Sequence, residues 1–132
     1  MSTKKEIILN GKAVSDIDSF YREVNRVFMS DENWKIGNSL DALNDLLYGG
    51  FGAINGNEPV RLIWENLDVS KSALGYETTR AYYQQKLKPD SIFNKMLFQE
   101  KLKALEEGTG ETYFDVVIAI FSEHPNIELL AT

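Results

Sequence analysis

The sequence of residues 34–50, WKIGNSLDALNDLLYGG, is typical of a loop that leads into a short amphipathic helix. Successive side chains on a helix are turned by about 100°, so this stretch presents two opposite faces. The apolar face consists of Leu40, Leu43 and Leu47. The polar face consists of Asp41, Asn44, Asp45 and Tyr48. Ser39 has the chemistry of an N-cap, and we expect the helix to end at Gly49 and Gly50.

Asp41 and Asp45 lie one turn apart on the polar face. Like charges at positions i and i+4 destabilise a helix by roughly 0.2–0.5 kcal/mol. No lysine or arginine occurs in residues 40–48 to offset this repulsion. We therefore expect a group outside the helix to interact with the pair.

The residues alone leave three interpretations of this acid pair open. The first is a solvated helix face, since charged side chains usually stay in water. The second is a small hydrolase in which Asp41 and Asp45 act with a divalent cation, although two carboxylates at this spacing supply neither a third ligand nor distinct acid and base roles. The third is a surface that enters a basic cleft of another protein, where guanidinium groups bind carboxylates through paired hydrogen bonds.

Hydrophobic patterning places three strands and further helices along the rest of the chain. The predicted strands are residues 6–10, 60–65 and 115–121, the last a nearly continuous apolar run typical of a strand buried on both faces. The further helices are residues 15–29 with a capping box at Ser15 and Asp18, residues 69–74 capped by Asp68, an extension within residues 75–90, and a last helix from Asp90 or Ser91 to Gly108. The tail from Pro125 onward carries no clear signal.

Helices separate each pair of predicted strands, so we expect a parallel sheet with right-handed crossovers. The predicted fold class is therefore α/β, with a three-stranded parallel β-sheet packed with about four or five α-helices. At 132 residues the chain has the length of a single domain, which we take to span residues 1–132.

The run from Gly37 to Leu47 resembles the G-x-N-L-D-A-L-x-D-x-L signature of the barstar family, the intracellular inhibitors of the ribonuclease barnase. Asn38 and Ser39 stand where the family has a variable residue followed by asparagine. Three further stretches resemble the family's first strand and turn, its second strand and its short third helix. They are residues 7–11, 60–65 and 70–74. Residues from about 75 to 90 fall outside this resemblance, so we expect them to form an inserted or extended segment.

The resemblance implies a barstar-like fold and a partner-binding role for the polar face and its loop. In barstar-like proteins, acids at the positions of Asp41 and Asp45 enter the ribonuclease active site and keep RNA phosphate out, with no reaction of their own. The implied contact residues are Asp41, Asp45, Gly37, Asn44, Tyr48, Trp34, Asn38 and Gly49. Trp34 is either an interface anchor or a residue that pins the loop to the core. Asn44 stands where barstar has a tryptophan, so the apolar part of the interface differs from that of the family.

The composition argues against several other classes of protein. The net charge is −6, from 14 Lys and Arg against 20 Asp and Glu, which disfavours direct binding of nucleic acid and favours a basic protein partner. The chain has no cysteine and one histidine, His124, which we predict to be a surface residue at a strand end. Thiol chemistry, a zinc cluster and a serine–histidine–acid triad are therefore disfavoured. We predict no catalytic residues, no metal site and no cofactor.

The N-terminal residues contain no apolar signal core, and no apolar run approaches the ~20 residues of a membrane span. We therefore expect a cytoplasmic protein that acts as a monomer in a 1:1 complex, away from membranes. The predicted function is inhibition of a cognate toxic ribonuclease, either as an immunity protein against a competitor's toxin or as protection from the cell's own secreted enzyme. Two alternatives stay open: the metal-dependent hydrolase, and a barstar-fold regulatory domain with a non-nuclease partner.

Overall fold

The computed structural model describes residues 4–90 and 93–132. In chain order the elements are β1 (Lys5–Asn10), a 3₁₀ turn (Gly11–Ala13), α1 (Ile17–Phe28), α2 (Leu40–Leu47), β2 (Val60–Glu65), α3 (Leu67–Ala73), α4 (Tyr76–Lys86), α5 (Lys95–Glu106), α6 (Tyr113–Ser122) and β3 (Ile127–Ala131). The three strands form one sheet in the order β1-β2-β3, and both pairings are parallel. The predicted α/β class and parallel sheet are therefore confirmed, with six α-helices in the two described ranges.

The central strand β2 carries the main core residue, Trp64, which is fully buried. Its ring stacks on Phe20 at a centroid distance of 6.0 Å and meets the edges of Phe114 and Phe121. The indole Nε1 donates to Ser70 Oγ at 2.9 Å, so its polar atom is satisfied within the core. This cluster joins α1, α3 and α6 to the sheet.

The predicted strand over residues 115–121 is wrong, because this run lies within helix α6. A capping box starts the helix: Asp115 N donates to Thr112 Oγ1 at 3.1 Å, and Thr112 N donates to Asp115 Oδ2 at 3.0 Å. The buried residues of α6 follow helical spacing. They are Tyr113, Phe114, Val117 and Phe121. Apolar residues also occupy the half-buried positions Ile118 and Ile120 beside this face, so the run is almost continuously apolar and over a short stretch resembles a buried strand.

The third strand lies instead in the C-terminal tail, where the residue pattern carries no clear signal. β3 pairs with β2 so that Ile127 is opposite Val60 and Leu129 is opposite Leu62. Its residues are only partly buried, as expected for an edge strand, and this weakens its hydrophobic pattern.

Two helix starts are capped differently from the prediction. The capping box of α1 joins Asp16 and Ser19, one residue later than the predicted Ser15 and Asp18. α3 follows Asn66, whose φ of 53° places it in the left-handed region. Asp68 therefore lies in the first turn of α3 and does not cap it.

The segment after α3 is helical, as predicted, and forms α4. The next helix, α5, starts later than expected, after Asn94, whose side chain accepts a hydrogen bond from Leu97 N at 3.1 Å. Asp90 therefore does not cap it. The alternative cap Ser91 and the predicted signal-free N-terminus, residues 1–3, lie outside the described residues. Gly108 follows the helix with φ +80°, which confirms it as the stop signal.

Candidate functional site

Helix α2 is held firmly at its N-terminus and along its inner face. The Ser39 side chain accepts a hydrogen bond from Ala42 N at 3.0 Å, which confirms Ser39 as the N-cap. Leu43, Leu46 and Leu47 are buried in the core. The opposite, outer face of α2 therefore belongs to a helix that the N-cap and the buried leucines hold in place.

The two acids of α2 are exposed on that outer face. Within residues 4–90 and 93–132, no cation forms an ion pair with Asp41 or Asp45, and no side chain donates a hydrogen bond to either. Like charges at this spacing repel each other by roughly 0.2–0.5 kcal/mol in water. The repulsion between Asp41 and Asp45 is therefore not offset by any positive charge in the described part of the fold.

Asn44 and Tyr48 share the polar face of α2 and both contact His124. Asn44 Oδ1 lies 2.8 Å from His124 Nε2. The Tyr48 ring meets the imidazole edge to face at a centroid distance of 4.8 Å and is itself 63% exposed. Because His124 follows α6 directly, these contacts fix the C-terminal end of α6 against α2.

The predicted surface position of His124 is wrong, since only 5% of the residue is exposed. It follows a helix and not a strand, and it packs under the outer face of α2. Sequence reasoning misses this buried contact of His124. The Thr112-x-x-Asp115 capping pattern is the available signal, because it places a helix, and hence its end, at this point.

The loop before α2 is pinned by Ile36 and Asn25. Ile36 is buried, its N–H donates to Asn25 Oδ1 at 2.9 Å, and its carbonyl accepts from Asn25 Nδ2 at 3.3 Å. Trp34 packs against Phe51 at a centroid distance of 4.9 Å yet stays 45% exposed. The pinning role considered for Trp34 is thus filled mainly by Ile36, and the indole presents a large apolar surface to solvent.

Gly37 and Asn38 lie on the exposed side of the same loop. A Cβ built on Gly37 would meet no atom within 4 Å, so the fold itself does not require glycine there. Asn38 Nδ2 donates to Asp18 Oδ1 at 2.8 Å, which ties the loop to the start of α1. Both residues are open to approach from solvent.

Gly49 differs from Gly37, because the fold does require glycine at this position. Its φ is +84°, and a Cβ there would lie 2.3 Å from the carbonyl oxygen of Gly56. Gly56 N donates to Gly49 O at 2.9 Å, which closes the loop that follows α2. Its backbone conformation therefore accounts for Gly49 without any partner.

Helix α4 approaches the acidic face through Tyr82. Burial raises the pKa of the Tyr82 hydroxyl, and the charge of the nearby Asp41 raises it further. Tyr82 also packs edge to face on Tyr113, with ring centroids 5.1 Å apart. Burial raises the pKa of Tyr113 to about 12, so this hydroxyl stays neutral at physiological pH. Tyr82 thus borders the acidic face and Tyr113 lies buried behind Tyr82, and neither hydroxyl adds charge to the face.

Two further features of the described ranges concern the alternative functions. No group of three or more His, Asp or Glu side chains there is arranged so that it could hold a metal ion. No helix in those ranges combines the length and apolarity needed to cross a bilayer.

A known protein family matches the part of the chain that contains this surface. The family model described as Barstar (barnase inhibitor) matches residues 4–85, more than half of the chain. The chain belongs to the barstar family. Barstar-family proteins are inhibitors and not enzymes, and the partner that the family binds is a ribonuclease. The chain is therefore a barnase-inhibitor-like protein. Among curated proteins, no match to the chain was found. The barstar match includes β1, β2 and the whole of α2, whereas α5, α6 and β3 lie beyond it.

Proposed function

We propose that this protein neutralises a cognate basic ribonuclease by placing the outer face of α2 in the active-site cleft of that enzyme. The observation that carries the proposal is the exposed, uncompensated pair Asp41 and Asp45 on a firmly seated helix. Guanidinium and ammonium groups that bind RNA phosphate also bind carboxylates through short, charge-assisted hydrogen bonds. RNA is then excluded by occupation, with no reaction.

In this proposal the residues around the pair have graded roles. Asp45 contributes most and Asp41 next, as their family counterparts imply. Gly37 offers its backbone N–H, which has no acceptor among the described residues, at a place where a side chain would hinder approach. Asn44 and Tyr48 flank the acids. The outer contacts are Trp34, Asn38 and Gly49.

We further propose that the protein acts in the cytoplasm as a monomer in a 1:1 complex, as an immunity protein against a ribonuclease toxin. The net charge of −6 suits capture of a basic enzyme. Asn44 in place of the family's tryptophan supports a partner that differs from barnase in its apolar contacts.

The test is affinity capture from secretions of neighbouring strains and from the source lysate. Three baits are compared: the intact protein, the double variant Asp41→Ala, Asp45→Ala, and a control variant Glu65→Ala, Asp68→Ala. The control removes the same charge from exposed acids near the end of β2 and the start of α3. Bound proteins are then assayed for ribonuclease activity and for its stoichiometric inhibition.

We expect the intact protein and the control to retain a basic ribonuclease and to inhibit it, and the α2 double variant to lose it. Removing one partner of a buried, hydrogen-bonded charge pair costs about 2–5 kcal/mol of binding free energy. Complexes of barstar with barnase are among those from which this range comes. Retention of the same partner by all three baits would show that the acids of α2 are not the site. A retained partner without nuclease activity would refute ribonuclease inhibition and favour the regulatory alternative.

A further inference from the structure

The contact between Asn44 and His124 lies at one edge of the outer face of α2, because Asn44 is turned by about 60° from Asp41 and by about 100° from Asp45 around the helix axis. Asn44 is half-buried, with Asp41 one turn before it and Asp45 directly after it. Its Oδ1 is 2.8 Å from Nε2 of His124, which comes from the other end of the chain. The imidazole is buried and is also held by the edge-to-face contact with Tyr48. The buried His124 ring thus holds the half-buried Asn44 amide from the inner side of the acidic face.

The chemistry of the two atoms sets the direction of this hydrogen bond. An amide oxygen can only accept, so Nε2 must carry the hydrogen. The opposite arrangement, with the Asn44 amide rotated by half a turn, would turn its oxygen away from His124, on the face that carries the negative charges of Asp41 and Asp45. Negative charge disfavours an outward oxygen there and favours the outward N–H groups. The electrostatics of the acid pair therefore support the Nε2–H donor.

We propose that His124 is a positioning residue that holds the Asn44 amide so that Nδ2 projects from the acidic face as a hydrogen-bond donor. In the described ranges, Nδ2 of Asn44 has no acceptor, and it is not among the enclosed polar atoms that lack a partner. Its N–H groups are therefore open to solvent. This inference rests on the proposed function for its partner, and on the Asn44–His124 geometry for its mechanism.

A donor beside the two acids selects for a particular cleft. The matching surface must present cations for Asp41 and Asp45 and, beside them on the side of His124, an acceptor oxygen from a carboxylate or a backbone carbonyl. A cleft with a cation or another donor at that point would leave buried polar groups unpaired, which costs affinity. Because His124 fixes the amide before binding, little side-chain entropy is lost when the complex forms. The pair thus acts as a specificity element beside the general attraction of the acids.

The first experiment examines the free protein and needs no ribonuclease. The ¹⁵N and ¹H NMR signals of the His124 ring at neutral pH show which nitrogen carries a hydrogen. We expect a hydrogen on Nε2, and a shift of the Asn44 side-chain amide signals in His124→Phe. A bare Nε2 with the hydrogen on Nδ1 alone would overturn the proposal, because the amide oxygen would then face outward. This result does not depend on whether the partner is a ribonuclease.

The second experiment is a double-mutant cycle on binding of the captured ribonuclease, using Asn44→Ala, His124→Phe and the double variant. We expect each single change to weaken binding by about tenfold, as for the loss of one hydrogen bond to a partner. The double variant should bind no more weakly than Asn44→Ala alone, because His124 acts through Asn44. His124→Gln supplies an amide donor near the position of Nε2 and should restore most of the affinity.

Urea unfolding of each variant separates loss of contact from loss of fold. His124→Phe keeps a ring against Tyr48, so its folded fraction should stay high. Wild-type affinity in His124→Phe, or additive losses in the double variant, would overturn the positioning role.

Discussion

Two glycines show how residues with the same predicted role differ physically. The resemblance to the barstar family implies that Gly37 and Gly49 both belong to the partner surface. The structure separates them by backbone geometry: only Gly49 has a positive φ and a backbone atom where its Cβ would lie. A single sequence does not carry this information, since the crowding atom belongs to Gly56 in a later turn.

This difference predicts opposite outcomes for two alanine substitutions. Gly49→Ala should lower the free energy of unfolding by at least about 1–2 kcal/mol, because a left-handed residue gains a Cβ. Gly37→Ala should change it by less than about 0.5 kcal/mol but weaken binding of the captured ribonuclease several-fold. Urea unfolding and inhibition assays measure the two effects. Unchanged inhibition by Gly37→Ala would remove Gly37 from the proposed contact.

Glu23 is buried and hydrogen-bonded within the fold, unlike the exposed acids of α2. It is 4% exposed, and its carboxylate accepts from Asn10 N and from two nitrogens of Arg26, each at 2.7 Å. Burial alone would raise the pKa of Glu23, but the bonds from Arg26 and Asn10 outweigh burial and lower it. The unfolded chain therefore takes up a proton more readily than the folded one. Glu23 contributes stability above its ordinary pKa and loses it as the pH falls through the lowered value.

Glu23→Gln should accordingly destabilise the protein at about pH 7 and much less at about pH 3. The expected loss at the higher pH is about 1–2 kcal/mol, at the low end for bonds to a charged group because Arg26 is largely exposed. Urea unfolding across this range measures it. Glu65→Gln, at an exposed acid, is the matched control and should show little difference at either pH. A deficit in Glu23→Gln that stays constant with pH would contradict the lowered pKa.

At the level of elements, local pattern is sufficient to predict some helices and strands and insufficient for others. Helix α2 and strands β1 and β2 are predictable because their caps, turns and apolar spacing are local features. Helix α6 and strand β3 are instead mistaken for a strand and an unassigned tail. The pattern fails there because α6 has one buried face with further apolar residues at its half-buried positions, and because β3 is an edge strand whose side chains are partly or fully exposed.

The capping box of α6 offers a direct test of this revised assignment. Thr112→Ala removes the side-chain acceptor for Asp115 N, and we expect it to lower the free energy of unfolding by about 1 kcal/mol. Thr132→Ala, at an exposed threonine that makes only backbone bonds in the described structure, should have almost no effect. Equal effects of the two changes on urea unfolding would argue against a capped helix at this position.

At the scale of the whole molecule, the residue types on the acidic surface can be predicted from the sequence, but the contacts that hold them in place cannot. The acid pair, the loop and the flanking polar residues follow from one amphipathic stretch. The contact that supports one edge of this surface joins Asn44 to His124, 80 residues later in the chain. No local periodicity encodes such a pairing. It depends on how the end of α6 packs against α2, two elements that are far apart in the chain.

The overall charge predicts how the protein finds its partner. A net charge of −6 attracts a basic ribonuclease over distances set by ionic screening, so the association rate should fall about tenfold or more as salt rises from about 0.01 M to about 0.15 M. Stopped-flow mixing with the captured ribonuclease measures this rate. Neutralising the distant acids in Glu65→Gln, Asp68→Asn should slow association slightly and leave dissociation unchanged. Asp45→Ala should mainly speed dissociation, because a charge pair buried in the complex governs lifetime more than encounter. An association rate indifferent to salt would show that charge does not steer the encounter, even if the α2 acids still determine the lifetime of the complex.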